Sequence, residues 1–303
     1  MNTIDLRNVT KKFGSFTAVD CLNLSVPQGS IYGFIGPNGS GKTTTLRMIM
    51  NILIPDSGDI YIFGDSLKPA NLDRIGYMPE ERGLYKRMKV RELLEFFASL
   101  KSPRDIKTKV TYWLRKLDLI DWSDKKVETL SKGMAQKVQF IATVVSQPEL
   151  VILDEPFTGL DPVNTDFLKD AILELQSTGT TVIFSTHDMA MAEKMCDFIF
   201  MIYKGKKVLD GTLSAIQDKY VDDIIRIRSG DGVSVFKDIA GVEKINDFGQ
   251  IQELRIKPSA DPHQLLKSIM RKTKLLSFEI VKPSLHDIFV RIAGPEAQED
   301  TDA

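Results

Sequence analysis

The chain has 303 residues, of which 43% are hydrophobic and 27% charged, and these proportions are typical of a folded protein of about two domains. The 40 basic residues nearly balance the 41 acidic ones, so the net charge of −1 predicts that nucleic acid is not a partner. Two cysteines, Cys21 and Cys196, are too few for a disulfide scaffold or a cysteine-based zinc site, and reduced, buried thiols are expected. The longest apolar run, at 198–203, is far too short for a transmembrane helix, and the first residues lack the apolar segment of a secretory signal.

Short apolar runs alternate with helical patterns through the first two thirds of the chain, and this order indicates an α/β domain at 1–220. Strands are predicted at 30–35, 60–63, 74–78, 150–153, 181–184 and 198–203. Helices are predicted at 43–53, 90–100 and 110–120. Because the strand runs show little polar alternation, we expect strands that are buried on both faces of a parallel sheet.

The pattern changes near 218–223, where a second domain is predicted to begin. Residues 221–294 are expected to form a small α+β domain with strands at 224–228, 251–256 and 275–281. Asp261, which precedes a proline, and Ser284 are predicted as the cap residues of two helices. The last residues, 295–303, are acidic and nearly free of apolar side chains, so a disordered tail is expected.

A glycine-rich segment, GPNGSGKT, joins the strand at 30–35 to the helix that follows it, and it matches the phosphate-binding pattern GxxxxGK[ST]. In such a loop the backbone N–H groups surround phosphate oxygens, and the N-terminus of the next helix adds positive potential. Lys42 is predicted to reach the β- and γ-phosphates, and the Thr43 hydroxyl is predicted to bind Mg²⁺. The predicted nucleotide-binding residues of this segment are Gly36, Pro37, Asn38, Gly39, Ser40, Gly41, Lys42, Thr43 and Thr44.

Two acidic residues, Asp154 and Glu155, follow the apolar run at 150–153. A carboxylate at the end of a buried strand can hold Mg²⁺ beside a phosphate loop, and this metal-binding role is predicted for Asp154. Glu155 is predicted to be the general base that polarises the attacking water.

Together these motifs resemble the nucleotide-binding subunit of ATP-binding cassette (ABC) transporters, and the resemblance extends over about residues 2–220. It implies a P-loop NTPase fold with a helical subdomain, ATP and Mg²⁺ as cofactors, and ATP hydrolysis as the reaction. By the same resemblance Phe13 stacks on adenine, His187 contacts the γ-phosphate as a catalytic residue, and Asp161 lies in the D-loop of the nucleotide site.

The segment LSKGM occupies the place of the family's LSGGQ signature, which contacts the ATP held by a second subunit. Lys132 and Met134 depart from that signature, but Ser131 and Gly133 are kept, so a working site is expected. Glu80 stands where the family has the Q-loop glutamine, and its carboxylate is still able to bind Mg²⁺.

The segments GYMPEERGLY, LSKGM and PSLHDIFVRIAG are similar to those of a narrower group of bacterial exporters, the drug-resistance and sodium-export ATPases. This resemblance implies an energy-coupling subunit at the inner, cytoplasmic face of the cell membrane. Its partners would be a separate transmembrane permease and a second ATP-binding subunit, either identical or different. The permease is expected to contact 81–98, and 221–294 would be an accessory domain.

Two other functions are weighed against this one. A soluble ABC ATPase that acts on ribosomes or DNA is disfavoured, because only one phosphate loop and no long coiled-coil insertion occur. A non-catalytic nucleotide-binding regulator is disfavoured because the expected phosphate, metal and catalytic residues are all present, namely Lys42, Asp154, Glu155 and His187.

Overall fold

The computed structural model describes residues 1–81, 83–101, 104–220, 224–229, 236, 239–257 and 260–294. The chain divides into two compact units, one of which spans Met1–Leu213, while the other begins at Ser214. None of the helices in these described ranges combines the length and the apolar character that crossing a membrane requires.

The first unit alternates strands with helices. Its strands are β1 (Asn2–Phe13), β2 (Phe16–Pro27), β3 (Ile31–Ile35), β4 (Ser57–Ile62), β5 (Asp65–Ser66), β6 (Ile75–Met78), β7 (Leu150–Asp154), β8 (Thr181–Thr186), β9 (Phe198–Tyr203) and β10 (Lys206–Gly211). Its helices are α1 (Lys42–Ile49), α2 (Pro69–Leu72), α3 (Val90–Lys101), α4 (Ile106–Lys116), α5 (Lys132–Val144), α6 (Pro162–Ser177) and α7 (Met189–Met195).

The central sheet of this unit has the order β10-β9-β3-β8-β7-β6, and all of its neighbouring pairs are parallel except β10 with β9. In the register of the sheet, Ile35 pairs with Thr186 and Asp154 pairs with Ser185. The carboxyl ends of β3, β8, β7 and β6 therefore meet at one edge, which is where ligands bind in open parallel sheets.

Side chains of the central strands point alternately into two hydrophobic cores. Val151 and Phe184 pack on one face with residues of α3, α4, α5 and α6. Ile152 and Ile183 pack on the other face with α1 and with a second, antiparallel sheet of order β2-β1-β4-β5. The predicted burial of these strands on both faces is confirmed, and so is the α/β architecture.

Two helices end earlier than predicted. Helix α1 stops before Asn51, whose φ of 55° is left-handed, and the N–H groups of Ile52 and Leu53 bond back to Arg47. Helix α4 is displaced toward the N-terminus relative to the predicted helix at 110–120 and ends before Asp118, which has a φ of 52°. In both cases a left-handed residue ends the helix although apolar residues continue beyond it.

The thiols also differ from the prediction. Cys21 is exposed, which contradicts the expectation of two buried thiols, whereas Cys196 is largely covered. Burial raises the pKa of the Cys196 thiol well above its usual range, and the nearby carboxylate of Asp197 adds to the effect.

The second unit contains an antiparallel sheet of order β12-β13-β11-β14 in the part that is described. Its elements are α8 (Leu213–Lys219), β11 (Ile224–Ser229), β12 (Val242–Asp247), β13 (Gln252–Ile256), α9 (Pro262–Met270), β14 (Leu275–Val281) and α10 (Leu285–Ala293). Asp261 caps α9 and Ser284 caps α10, so both predicted helix starts are confirmed. The predicted acidic tail at 295–303 lies outside the described residues.

Candidate nucleotide-binding and hydrolysis site

The phosphate loop connects β3 to α1 and brings backbone N–H groups to the carboxyl edge of the sheet. Gly41 precedes the helix with a φ of 110°, and a Cβ atom there would lie 2.5 Å from the carbonyl oxygen of Ala18. Only glycine fits this position, because both the backbone conformation and the neighbouring carbonyl exclude a side chain. The loop is thus held tightly against β2 while the first turn of α1 remains open to a ligand.

Lys42 is the first residue of α1, and its side chain folds back over the loop. Its Nζ donates hydrogen bonds to the carbonyl oxygens of Gly36, at 2.6 Å, and Pro37, at 3.1 Å. The ammonium also lies 3.9 Å from Oε1 of Glu155. Burial lowers the pKa of Lys42, and the carboxylates of Glu155, Asp154 and Glu80 oppose this effect. A buried cation is therefore positioned within the loop predicted to bind phosphate.

Asp154 and Glu155 stand at the end of β7, both nearly inaccessible to solvent. Oδ1 of Asp154 accepts a hydrogen bond from the Ser185 hydroxyl, whereas its buried Oδ2 has no partner among the residues that the structure describes. The Glu155 N–H donates to the same Ser185 oxygen at 3.1 Å. Glu155 has a left-handed φ of 50°, which is uncommon for a residue with a side chain.

The Glu155 carboxylate is held by two further contacts. Its Oε1 lies 3.1 Å from Nδ1 of His187, and its Oε2 accepts a hydrogen bond from Thr158 at 3.3 Å. His187 follows β8 directly, and 58% of its side chain is exposed. The imidazole is therefore accessible to a ligand that binds at this edge of the sheet.

A cavity of about 420 Å³ opens over the phosphate loop. It is lined by Phe13, Phe16, Ala18, Asn38, Gly39, Ser40, Gly41, Lys42, Thr43, Thr44, Glu80 and Glu155. Phe13 is 48% exposed and Phe16 is 61% exposed, so two aromatic faces rather than one are available at its wall. Sequence reasoning named Phe13 and overlooked Phe16, although both belong to the same segment.

Ser131, Gly133 and Asp161 form a second group, and none of these three lines the cavity within the described residues. Ser131 caps α5, since its Oγ accepts from the N–H of Met134 at 3.2 Å. The Asp161 carboxylate caps α6 and accepts from the N–H of Asn164 at 2.8 Å. A Cβ atom on Gly133 would lie 3.3 Å from Nδ2 of Asn164, so the starts of the two helices are packed together.

Three polar side chains that sequence reasoning missed connect the parts of the site. Ser185 orients Asp154 and Glu155, since its hydroxyl donates to Asp154 and its oxygen accepts from the Glu155 N–H. Gln139 of α5 donates to the carbonyl oxygen of Pro79 at 2.8 Å and so holds the segment that carries Glu80. Gln136 donates to the carbonyl oxygen of Pro156 at 3.1 Å. Ser185 is a polar residue within an apolar strand, and that is the sequence signal that could have identified it.

A parallel sheet with a glycine-rich phosphate loop after one strand and an acidic pair after another defines the class of P-loop nucleoside triphosphatases. The family model described as "ABC transporter" matches residues 19–158, and an AAA-domain model matches 126–192. The model described as "ATP-binding protein DrrA1-3-like, C-terminal domain" matches residues 211–293.

Curated relatives match over almost the whole chain. The uncharacterized ABC transporter ATP-binding protein YhaQ of Bacillus subtilis is 40% identical over 97% of this chain and 99% of its own. The Nod factor export ATP-binding protein I of Burkholderia lata is 32% identical, with 98% of each chain covered. The linearmycin resistance ATP-binding protein LnrL of Bacillus subtilis is 30% identical over 96% of this chain and 98% of its own.

Solved structures of ABC transporter ATP-binding proteins have a similar fold. An ATP-binding subunit of an ABC transporter superposes with a TM-score of 0.68 and 28% identity, covering 72% of this chain and 93% of that one. A dimeric ATP-binding cassette in a post-hydrolysis state, bound to ADP and Pi, gives a TM-score of 0.63 and 25% identity, covering 69% of this chain and 98% of that one. The chain belongs to the family of ABC transporter ATP-binding proteins, and it is accordingly an ATP-binding ATPase. The resemblance inferred from the motifs is confirmed.

Proposed function

We propose that this chain is the energy-coupling subunit of an exporter and that it uses ATP hydrolysis to drive a separate membrane permease. The observation that carries the proposal is the meeting of Lys42, Glu155 and His187 at one edge of the central sheet. Export is supported by the relatives whose names refer to Nod factor export and to linearmycin resistance, since both match nearly the full chain.

Hydrolysis is an in-line attack of water on the γ-phosphorus of ATP. Glu155 accepts a proton from the water as the oxygen bonds to phosphorus, and the bond to the β–γ bridging oxygen breaks to release ADP and phosphate. Lys42 offsets the negative charge of the β- and γ-phosphates together with the N–H groups at the start of α1. His187, which shares a hydrogen bond with Glu155, orients the γ-phosphate.

Mg²⁺ would be held by Thr43 and Glu80, which line the cavity, and by Asp154, which lies buried at the end of β7. Within the described part of the chain the buried Oδ2 atom of Asp154 has no hydrogen-bond partner, and a hard cation prefers such carboxylate and hydroxyl oxygens. When bound, the ion supplies positive charge against the β- and γ-phosphates.

The composite site requires two ATP-binding subunits, which are two copies of this chain or this chain with a related one. The starts of α5 and α6, which carry Ser131, Gly133 and Asp161, are packed together outside the cavity of their own chain. This position suits a surface that contacts the ATP held by the partner subunit. The similar ADP-bound cassette is a dimer, which supports this arrangement.

The permease is proposed to dock beside the segment that carries Glu80. A cavity of about 370 Å³ lies there, lined by Tyr77, Leu84, Phe97, Leu100 and Gln139 among others. Tyr85, Phe96 and Leu100 leave a large apolar area exposed around it, as expected for a protein-binding surface. Through this contact the subunit would lie on the cytoplasmic face of the membrane.

We assign 1–220 to the ATP-binding domain and 221–294 to an accessory domain that carries no residue of the hydrolytic site.

The Glu155→Gln variant tests the proposal. The amide keeps the size of the side chain but does not accept a proton, so ATP should bind and persist. We expect the variant to elute as an ATP-bound dimer in size-exclusion chromatography, while wild type with ATP and Mg²⁺ stays mostly monomeric.

The matched control is the double variant Glu155→Gln/Lys42→Ala, which should neither bind ATP nor dimerise. Hydrolysis by Glu155→Gln at the wild-type rate would show that Glu155 is not the base. An inactive, ATP-bound variant that stays monomeric at all concentrations would contradict the two-subunit site.

A further inference from the structure

Lys132, the first residue of α5, lies directly over Gly159 in the loop that follows Glu155. A Cβ atom on Gly159 would stand 2.8 Å from both Cε and Nζ of Lys132, and the glycine has a left-handed φ of 75°. The absence of a side chain at Gly159 is what leaves room for the lysine. The alkyl chain is therefore confined between the start of α5 and the D-loop.

The ammonium group of Lys132 has no anion beside it. Among the residues that the structure describes, no carboxylate or other acceptor pairs with it, whereas Lys126 pairs with Glu128 and Lys169 pairs with Asp166. A cation in the first turn of a helix also opposes the helix dipole, so neither a local ion pair nor helix stability accounts for it. The charge lies on an exposed surface and is available to a ligand.

The surface around this charge is the one that carries Ser131 and Gly133. Gly133 lies close to Leu160, in the loop that also contains Gly159, and to Asn164 of α6, so the start of α5 packs against this loop. Ser131 precedes Lys132 directly and caps the helix. Any phosphate that approaches Ser131 therefore also approaches the Lys132 ammonium.

We propose that Lys132 is a further ligand of the triphosphate held by the second ATP-binding subunit. This inference rests on the proposed function, because the ligand belongs to the partner's site. The ammonium adds a charge-assisted contact to the phosphate where a glycine would offer only its backbone N–H. Gly159 serves this contact by leaving space for the alkyl chain that positions the charge.

The test measures ATP-dependent dimerisation in the Glu155→Gln background by sedimentation equilibrium. Lys132→Met keeps the alkyl cover over Gly159 but removes the charge. The dimer dissociation constant should rise about 100-fold or more, because the dimer loses two charged hydrogen bonds, each worth roughly 10- to 100-fold. Lys132→Arg should stay within a few-fold of the parent. Lys126→Met, which removes a nearby lysine charge outside the site, should leave the constant unchanged.

Gly159→Ala tests the positioning of the charge. The added methyl group must displace the lysine, so dimerisation should weaken when Lys132 is present but change little further in the Lys132→Met background. ATP binding to the monomer should be unaltered in every variant, because the contact is made to the partner's nucleotide.

The outcomes separate this inference from the function on which it rests. If the Glu155→Gln parent dimerises with ATP and Lys132→Met dimerises equally well, Lys132 is a packing residue and only the inference is overturned. If the parent binds ATP but does not dimerise, the two-subunit site is wrong and the inference fails with it.

Discussion

Nδ1 of His187 lies 3.1 Å from Oε1 of Glu155, so side chains from the ends of two neighbouring parallel strands share one hydrogen bond. The contact joins the residue predicted to orient the γ-phosphate to the residue predicted to take the proton from water. Because the imidazole is more than half exposed, it can turn from the carboxylate to a bound phosphate by a side-chain rotation alone.

For His187→Ala we expect ATP binding within a few-fold of wild type and hydrolysis reduced on the order of 100-fold, the scale for losing one hydrogen-bond donor to the transition state. Phosphate release at saturating ATP, together with nucleotide titration, measures the two effects separately. His263→Ala, at an exposed position in the second unit, is the control and should change neither. Loss of binding in step with hydrolysis would assign His187 a structural role instead.

Lys42→Ala should abolish most ATP binding, because it removes the buried cation of the phosphate loop and leaves the carbonyl oxygens of Gly36 and Pro37 without their donor. We expect affinity to fall by about 100-fold or more, the cost of a lost charged hydrogen bond and its Coulombic contribution. Isothermal titration of ATP measures it, with Lys169→Ala on the surface of α6 as the control. Near wild-type affinity would disprove the assignment of this loop.

Phe13→Ala should weaken ATP binding by roughly 5- to 150-fold, which corresponds to about 1–3 kcal/mol for one stacked base. Because Phe13 is nearly half exposed, the thermal unfolding temperature should hardly change. Phe16→Ala is the matched comparison, since Phe16 lines the same cavity. Should Phe16→Ala lose affinity while Phe13→Ala keeps it, adenine stacks on Phe16 and the prediction for Phe13 is wrong.

Mixed dimers test whether Ser131 acts on the partner's nucleotide. A Ser131→Ala chain combined with a Lys42→Ala chain leaves one of the two composite sites intact, so partial recovery of ATP hydrolysis is expected. Each variant alone should be inactive, and the Ser131→Ala chain needs a melting control because its hydroxyl also caps α5. Proven mixed dimers without any recovered activity would contradict the head-to-tail geometry.

One of the two cysteines should react with a thiol reagent in the native protein. Cys21 is exposed, whereas burial raises the pKa of Cys196 and so disfavours its reactive thiolate in the folded chain. Titration with Ellman's reagent should find one thiol in the folded chain and two after unfolding. The Cys21→Ser variant should show no reaction until it is unfolded, and rapid native labelling of that variant would contradict the buried position of Cys196.

The sequence allows the hydrolytic site to be predicted because its motifs are local. Lys42 and Thr43 follow the glycines of their loop directly, and Asp154 and Glu155 are adjacent, so each pattern carries its own chemistry. Ser185 could not be assigned in this way, because its partners Asp154 and Glu155 are far away in the chain and meet it only when β7 pairs with β8.

Prediction from the sequence also missed the long hairpin of β1 and β2, but the reason is different. Its register shifts several times, and Asn8 and Cys21 adopt left-handed backbone conformations within the strands. These irregularities interrupt the alternation of buried and exposed residues on which strand prediction depends. The helix ends at Asn51 and Asp118 were missed because asparagine and aspartate give a weaker stop signal than glycine.

The backbone of Glu155 has a genetic consequence. A left-handed φ of 50° in a residue with a side chain costs on the order of 1–3 kcal/mol, and glycine escapes that cost. A Glu155→Gly mutation would thus remove the base, and the relieved backbone would offset the loss of the carboxylate's contacts with Lys42, Thr158 and His187, so the inactive chain should still fold. Proteases that clear unstable chains would spare it. Such chains would assemble with active subunits and permeases into complexes with a defective site. We therefore expect the mutation to be dominant over a wild-type copy in the same cell.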